Sequence, residues 1–362
     1  MISLRANGNV IKGFSGVRIS RSLEQFCATY SLQAFPQVDT NSKTPAGAWL
    51  PTFPEDLVEI CIDDEVVVKG YNDECRPAFS AGGASFSVSG REISKDIVDC
   101  FPENVNFENK KVDEIARLIC NEFGVNFRGA QGVNVGAPLS KFSGDSGRTA
   151  YEVLLNACKQ RRCMPSCDGL GNVSLVGAKY QTAQVDLTQG INVLQAQGVF
   201  STKRRYKVYR VVASNDFSGK TFAEVVDDES SRARRWVMLD ERWSTKECCE
   251  GRAMWEAKHQ QAVANALQVS VNGWRQKEGG ALWMPGLLVH VDLPAIIGDA
   301  GEFLVNKVDM SYDVSNGAVT TISLVDPEIY SPLPGFPSAK KKVKAKNDVW
   351  ANIRKQTGST LR

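Results

Sequence analysis

The residues that could do chemistry are few and poorly grouped. Only two histidines occur, His259 and His290. Gly144-Asp145-Ser146-Gly147 copies part of the string around a trypsin-type nucleophile. That chemistry needs a histidine base, and in trypsin-like chains the base precedes the serine. No histidine precedes Ser146, and Arg148 stands where the next glycine belongs. The string therefore reads as a polar loop before a helix, with Ser146 or Thr149 as its cap. His259 lies beside Glu256 and Gln260 in a helical stretch and is expected on the solvated face. His290 alternates with Val289 and Val291 and should point to the other side of its strand. A closed zinc site takes about four ligands, and neither histidine has such company.

Cys158, Cys163 and Cys167 come closer to a ligand cluster, but no histidine is near and no second cluster follows at zinc-ribbon spacing. Cys158 falls on an apolar helical stripe, where a thiol packs. The adjacent Cys248 and Cys249 cannot share one helix face, so one should be buried and one peripheral. Gly169 and Gly171 resemble the start of a dinucleotide fingerprint, yet Ser174 replaces the third glycine and a strand follows, not a helix. Asp227-Asp228-Glu229 reads as a solvated loop. Neither a catalytic set, a metal site nor a bound cofactor is expected.

Bulk properties agree with a soluble assembly of domains. The 362 residues suffice for two to four compact units if each takes roughly 100–200. Residues 339–362 carry eight Lys/Arg against Asp348 alone, leaving the preceding body with 35 bases and 40 acids. Such a body is not that of a nucleic-acid binder. No apolar run approaches the roughly 18–20 residues of a membrane span. Met1 to Val10 carries Arg5 and Asn7 and lacks the apolar core of a secretory signal. Ten cysteines scattered from Cys27 to Cys249 then read as free thiols made in a reducing cytoplasm.

The elements follow from periodicity. Val17 and Ile19, then Phe26, Ala28, Tyr30 and Leu32, alternate with polar neighbours and predict strands. Asn41 to Pro54 reads as a long loop. Val58, Ile60 and Ile62, a turn at Asp63-Asp64, Val66 to Val68, and Ala84, Phe86 and Val88 complete a small antiparallel barrel or sandwich over 1–88. The period changes to helical at Lys111–Phe123 and at Thr149–Arg161, and a hairpin turns at Asp168-Gly169 or Gly171-Asn172. Residues 89–178 therefore form an inserted α+β domain, with the first barrel completed by about 179–200. A strand at Tyr206–Val212 opens a second β-barrel region, 201–330. Within it one long helix, 244–267, starts with Ser244 and Glu247 as a capping box. Strands resume at Val269, Leu287, Phe303 and Val319, the last two joined at Asn316-Gly317. The fold class is mainly β, α+β overall. Residues 331–362 read as a basic flexible tail, with Lys340, Lys341, Lys342, Lys344 and Lys346 at its centre.

Val271 to Val291 is the distinctive stretch: a strand, a charged Gly-rich turn, and a second strand opened by Leu282 and Trp283. Gly273, Trp274, Trp283, Met284, Pro285 and Gly286 would make a structural hairpin whose indoles bury apolar bodies and need partners for their N–H groups. This segment resembles the baseplate hub proteins of Mu-like contractile-tailed phages. So do Leu4, Arg5, Gly8, Val17, Ile19, Arg21, Ser22 and Glu24 at the start. Gly90-Arg91 with Asp96, Ile97, Asp99 and Cys100, and Tyr151-Glu152 at the second helix, continue the likeness. It covers residues 1–330 in order, whereas Asn41–Pro54 and the basic tail depart from it.

The resemblance implies two small β-barrels in one chain, and three chains closing into a ring of near six-fold character. Such a homotrimer would join a hexameric tail tube to a trimeric central spike and leave a channel for DNA, without specific nucleic-acid binding. The implied partners are the tube, spike, tape-measure and baseplate wedge proteins. The implied location is the virion tail, assembled in the bacterial host cytoplasm. The alternative is a tail-associated glycan-binding or hydrolase module seated in Ser89–Ala178, where the sequence shows no aromatic platform or paired acids.

Overall fold

The structure, a computed structural model, describes residues 2–35, 51–80, 83–144, 147–177, 180–214, 220–240 and 244–330. Seven strands come first: β1 (Ile2–Ala6), β2 (Asn9–Lys12), β3 (Gly16–Ser22), β4 (Thr29–Ala34), β5 (Leu57–Ile62), β6 (Glu65–Ser80) and β7 (Gly83–Glu92). Asp63 and Asp64 both adopt positive φ, the geometry of a tight hairpin turn between β5 and β6. The α+β insert holds α1 (Lys95–Asp99), β8 (Asn106–Lys110), α2 (Val112–Glu122), β9 (Asn126–Gln131), β10 (Leu139–Ser143), α3 (Ala150–Gln160), β11 (Met164–Cys167) and β12 (Asn172–Val176). Then come β13 (Gln181–Thr182), β14 (Leu187–Thr188), β15 (Val193–Phe200), β16 (Val208–Val212), β17 (Phe222–Val226), β18 (Arg235–Leu239) and α4 (Lys246–Ala264). The chain closes with β19 (Asn265–Asn272), β20 (Leu287–Asp292), α5 (Pro294–Ile297), β21 (Gly301–Asp313), β22 (Gly317–Val325) and a 3-10 turn, Pro327–Tyr330.

The fold is mainly β, and its frame is one continuous sheet. Its strands run β15-β19-β22-β21-β3-β4-β7-β6-β5-β1-β2, with β20 branching from β21 and carrying β13 and β14. The long strand β21 makes the join: it pairs with β22 along one side and, from Lys307 to Asp313, with β3 along the other. The two expected β units thus share one curled sheet, joined edge to edge. One core runs under both halves, from Leu4, Ile19 and Leu32 to Val269, Trp283 and Ile322. The strands of 181–200 also sit elsewhere than expected. They pair with β19 and β20 of the C-terminal half and do not complete the first.

Residues 208–239 differ from expectation as well. β16, β17 and β18 form their own three-stranded sheet, packed on α4 through Val211, Ala213, Ala223, Cys249 and Ala253. The insert has a separate core, built on Ile115, Ile119, Leu154 and Leu175, which also takes in Phe26, Cys27 and Cys248. Phe26 and Cys27 precede β4 and lie in the connection from β3, so the alternation read through them as strand belongs to a loop that feeds the insert.

Candidate assembly interface

The Trp274–Trp283 segment is a clamp inside the molecule. Gly273 N–H donates to Ala318 O (2.8 Å) and Thr320 Oγ1 to Gly273 O (2.6 Å). Trp283 N–H donates to Trp274 O (2.9 Å), and Arg275 and Leu282 form a bridge between them. The flanking strands do not continue this hairpin, because β19 pairs with β15 and β22 while β20 pairs with β13, β14 and β21. Trp283 is wholly buried, with its Nε1 unpartnered among the described residues. Trp274 Nε1 donates to Ser311 O (3.0 Å) and its ring meets Tyr312 edge-on at 6.4 Å. Met284 is exposed, Pro285 half-buried, and Gly286 N–H reaches Val305 O at 2.8 Å. Arg275 lies within 3.4 Å of Asp63 and 3.3 Å of Glu65, tying the turn to the N-terminal half.

A second clamp holds the insert. Glu92, at the end of β7, is fully buried, and its carboxylate accepts N–H groups from Ala28 (3.1 Å), Gly169 (3.1 Å) and Gly171 (2.9 Å). Buried Arg21 donates to the carbonyl of Asp168 in the same loop. Burial lifts the Glu92 carboxyl up to about 7, against the pull of those N–H groups and of Arg21. The glycines that hinted at a nucleotide fingerprint therefore bind a carboxylate of the protein itself. Arg91 grips Asp99 with both terminal nitrogens (2.9 and 2.7 Å) and Asp73 through Nε (2.8 Å). Gly90 is required because a Cβ there would lie 2.3 Å from the Tyr30 hydroxyl. Tyr151 Oη donates to Glu24 O (3.1 Å) while its ring packs on Phe26 at 4.9 Å.

The helix α4 is the third organising element. Its cap is Thr245, whose hydroxyl accepts Cys248 N–H; Ser244, the expected cap, instead donates to Asp240 at 2.8 Å. Cys248 and Cys249 are both buried, correcting the expected split, because α4 is sandwiched: Cys248 enters the insert core and Cys249 the small-sheet core. His259 is likewise not on a solvated face. It stacks on Trp255 at 4.7 Å and its Nε2 lies 3.0 Å from Glu24 Oε1. Asp227 is buried, not solvated, and with Glu229 it holds Arg205 at 2.7 and 2.6 Å.

Little of this converges on chemistry. Cys163 Sγ donates to Cys158 O and lies against the Cys158 thiol, whereas Cys167 Sγ donates to Ser94 Oγ, away from that pair. His290 faces outward opposite Glu302. Thr149 caps α3 with Glu152 in a capping box, while Ser146, like residues 41–50 and the lysines of 340–346, lies outside the described residues. A cleft of about 350 Å³ in the insert is lined by Phe101, Pro102, Glu103, Val105, Gly147 and Arg148, a set with one carboxylate. The clamps tie the insert and the small sheet to one continuous frame.

Comparison with known proteins finds likeness to phage baseplate and tail proteins. Three family models match in succession: the N-terminal domain of Mu phage baseplate assembly protein GpP-like proteins over 1–92, the second domain of baseplate hub protein gp44-like proteins over 94–177, and the fourth domain of Mu phage baseplate assembly protein GpP over 244–333. Baseplate hub protein gp44 of Escherichia phage Mu is 25% identical over 344 residues, 90% of this chain and 88% of that protein. The 43 kDa tail protein of prophage MuSo2 from Shewanella oneidensis superposes with a TM-score of 0.80 at 29% identity, covering 91% of this chain and 98% of that one. A tail protein from Neisseria meningitidis MC58 shares the fold, with a TM-score of 0.79 at 17% identity and coverage of 91% and 99%. An Escherichia coli component of the type VI secretion system does so more distantly, at 0.57 and 13%, covering 91% and 79%. The chain is a homologue of the Mu phage baseplate hub protein gp44, with domains like those of Mu-type baseplate proteins.

Proposed function

We propose that this hub protein forms a trimeric ring of near six-fold character that joins the hexameric tail tube to the trimeric central spike and leaves a channel for DNA. The observation that carries this is the fused sheet. One chain presents two β halves side by side through the β3–β21 ladder, so three chains would offer six similar units to a hexameric tube and three to a spike. The homology to gp44 along 90% of the chain supports the same assignment. Its other neighbours in this reading are the tape-measure and wedge proteins. The lysines of 340–346 are proposed to meet an acidic partner surface. The protein acts in the virion tail after assembly in the host cytoplasm, and its work is structural, without catalysis. The insert serves as an outer or neighbour-facing domain. Among the described residues the cleft lining offers Glu103 as its carboxylate, whereas a glycan hydrolase uses a pair.

The test is the stoichiometry of the full-length protein by light scattering, alone and with its spike and tube proteins. A mass of three copies is expected. A monomer that persists with both partners present would overturn the ring.

A further inference from the structure

The main path of the large sheet, apart from the branch that closes on β13 and β14, has two ends, and both are open. At one end β15 pairs with β19 alone, and at the other β2 pairs with β1 alone, among the described strands. Natural proteins guard such edges with charge, proline, bulges or shortness, because unpaired N–H and C=O groups recruit further strands. β2 is short and ends in Lys12. β15 is eight residues long, and from Leu187 to Thr202 the chain contains no charged residue and no proline. Apolar side chains crowd this edge in the open: Ile191 is 81% exposed, Leu194 61% and Val199 49%. At the far end Val10 is 56% exposed. A strand of this composition left bare is an aggregation site, so it is built to be covered.

We infer that the occupant is a second copy of this chain, with β15 of one copy adding antiparallel or parallel to β2 of the next. This rests on the ring reading above and gives it a contact. A closed ring needs two different surfaces on each copy that complement one another, and the sheet supplies two different ends. Pairing β15 with β2 covers both ends of the main path in a closed ring and continues the sheet from copy to copy. Backbone hydrogen bonds provide the affinity and Leu194, Val199 and Val10 the apolar contact.

The experiment uses the full-length chain carrying Cys100→Ser, which removes the exposed native thiol. Val10→Cys is combined in turn with Leu194→Cys and Val199→Cys, and oxidised samples are sized under denaturing, non-reducing conditions. Inter-copy disulfides up to a trimer are expected in the double variants and not in the single ones. Leu194→Lys with Val199→Lys should weaken ring formation about tenfold or more, since assembly would bury unpaired charge, with the thermal unfolding of the isolated chain little changed. If that variant fails to fold, the cysteine pairs still decide. Rings that form without any such cross-link, and survive the lysines, overturn this contact but leave the hub reading intact. Dimers cross-linked through Leu194→Cys alone would show β15 meeting β15 and overturn it too. If no ring forms with spike and tube present, the ring reading itself falls and this contact with it.

Discussion

Glu92 ties two connections together, since it receives N–H groups from the β3–β4 connection and from the β11–β12 turn at once. Glu92→Ala removes three buried acceptor bonds and should cost about 3 kcal/mol or more, measured by urea unfolding. Its carboxyl is raised from the ordinary 4.5 to about 7, chiefly by burial. A group raised on folding gives stability that is present below its unfolded value and lost as pH climbs through the folded one. The urea midpoint of the wild type should therefore fall relative to Glu92→Gln between about pH 5 and pH 8; a difference that stays flat would show that the N–H groups and Arg21 hold the charge unopposed. Arg205 poses a simpler case. Arg205→Met would strand the carboxylate of Asp227, whose side chain is 1% exposed, for about 3–5 kcal/mol. Hydrogen exchange should rise in β16–β18 first. None of these clamps could be read from sequence, because each joins residues far apart in the chain. The acids of 227–229 look like any solvated loop until Arg205 is folded over them.

Elements were far more readable than contacts. Helices expected over 111–123 and 149–161 occur as Val112–Glu122 and Ala150–Gln160, since each carries an apolar stripe that packs into the insert core. The Asn316-Gly317 turn likewise joins β21 to β22. α4 was found as a helix but its environment was not, because it is buried on several sides and has no clean stripe to read. Gly251 shows why: a Cβ there would lie 2.4 Å from the Gln160 carbonyl, so α3 ends directly against α4. Alanine is ordinarily the better helix former by about 1 kcal/mol, yet Gly251→Ala should lower the melting temperature, with a net loss of about 1–3 kcal/mol from overpacking. An unchanged or raised melting temperature would mean that the α3–α4 contact yields easily. Trp283→Ala, in the clamp that the sequence did single out, should cost about 3–5 kcal/mol in the same assay.

At the scale of the whole molecule, the β class was legible from period-two alternation, while the fusion of the two halves was not. Residues 16–22 and 307–313 each read as an ordinary strand, and nothing local says that they pair with one another. The small sheet at 208–239 escaped for the same reason, its partner being a helix that follows it. In the proposed ring the fusion would hold the two halves of each copy together and leave the ends of the main strand path to meet other copies. The most direct measurement is electron microscopy of the full-length protein, alone and mixed with its spike and tube proteins, with class averages down the particle axis. The account expects rings of three copies with six similar densities around an open channel. Monomeric particles, or closed dimers without a channel, would contradict it.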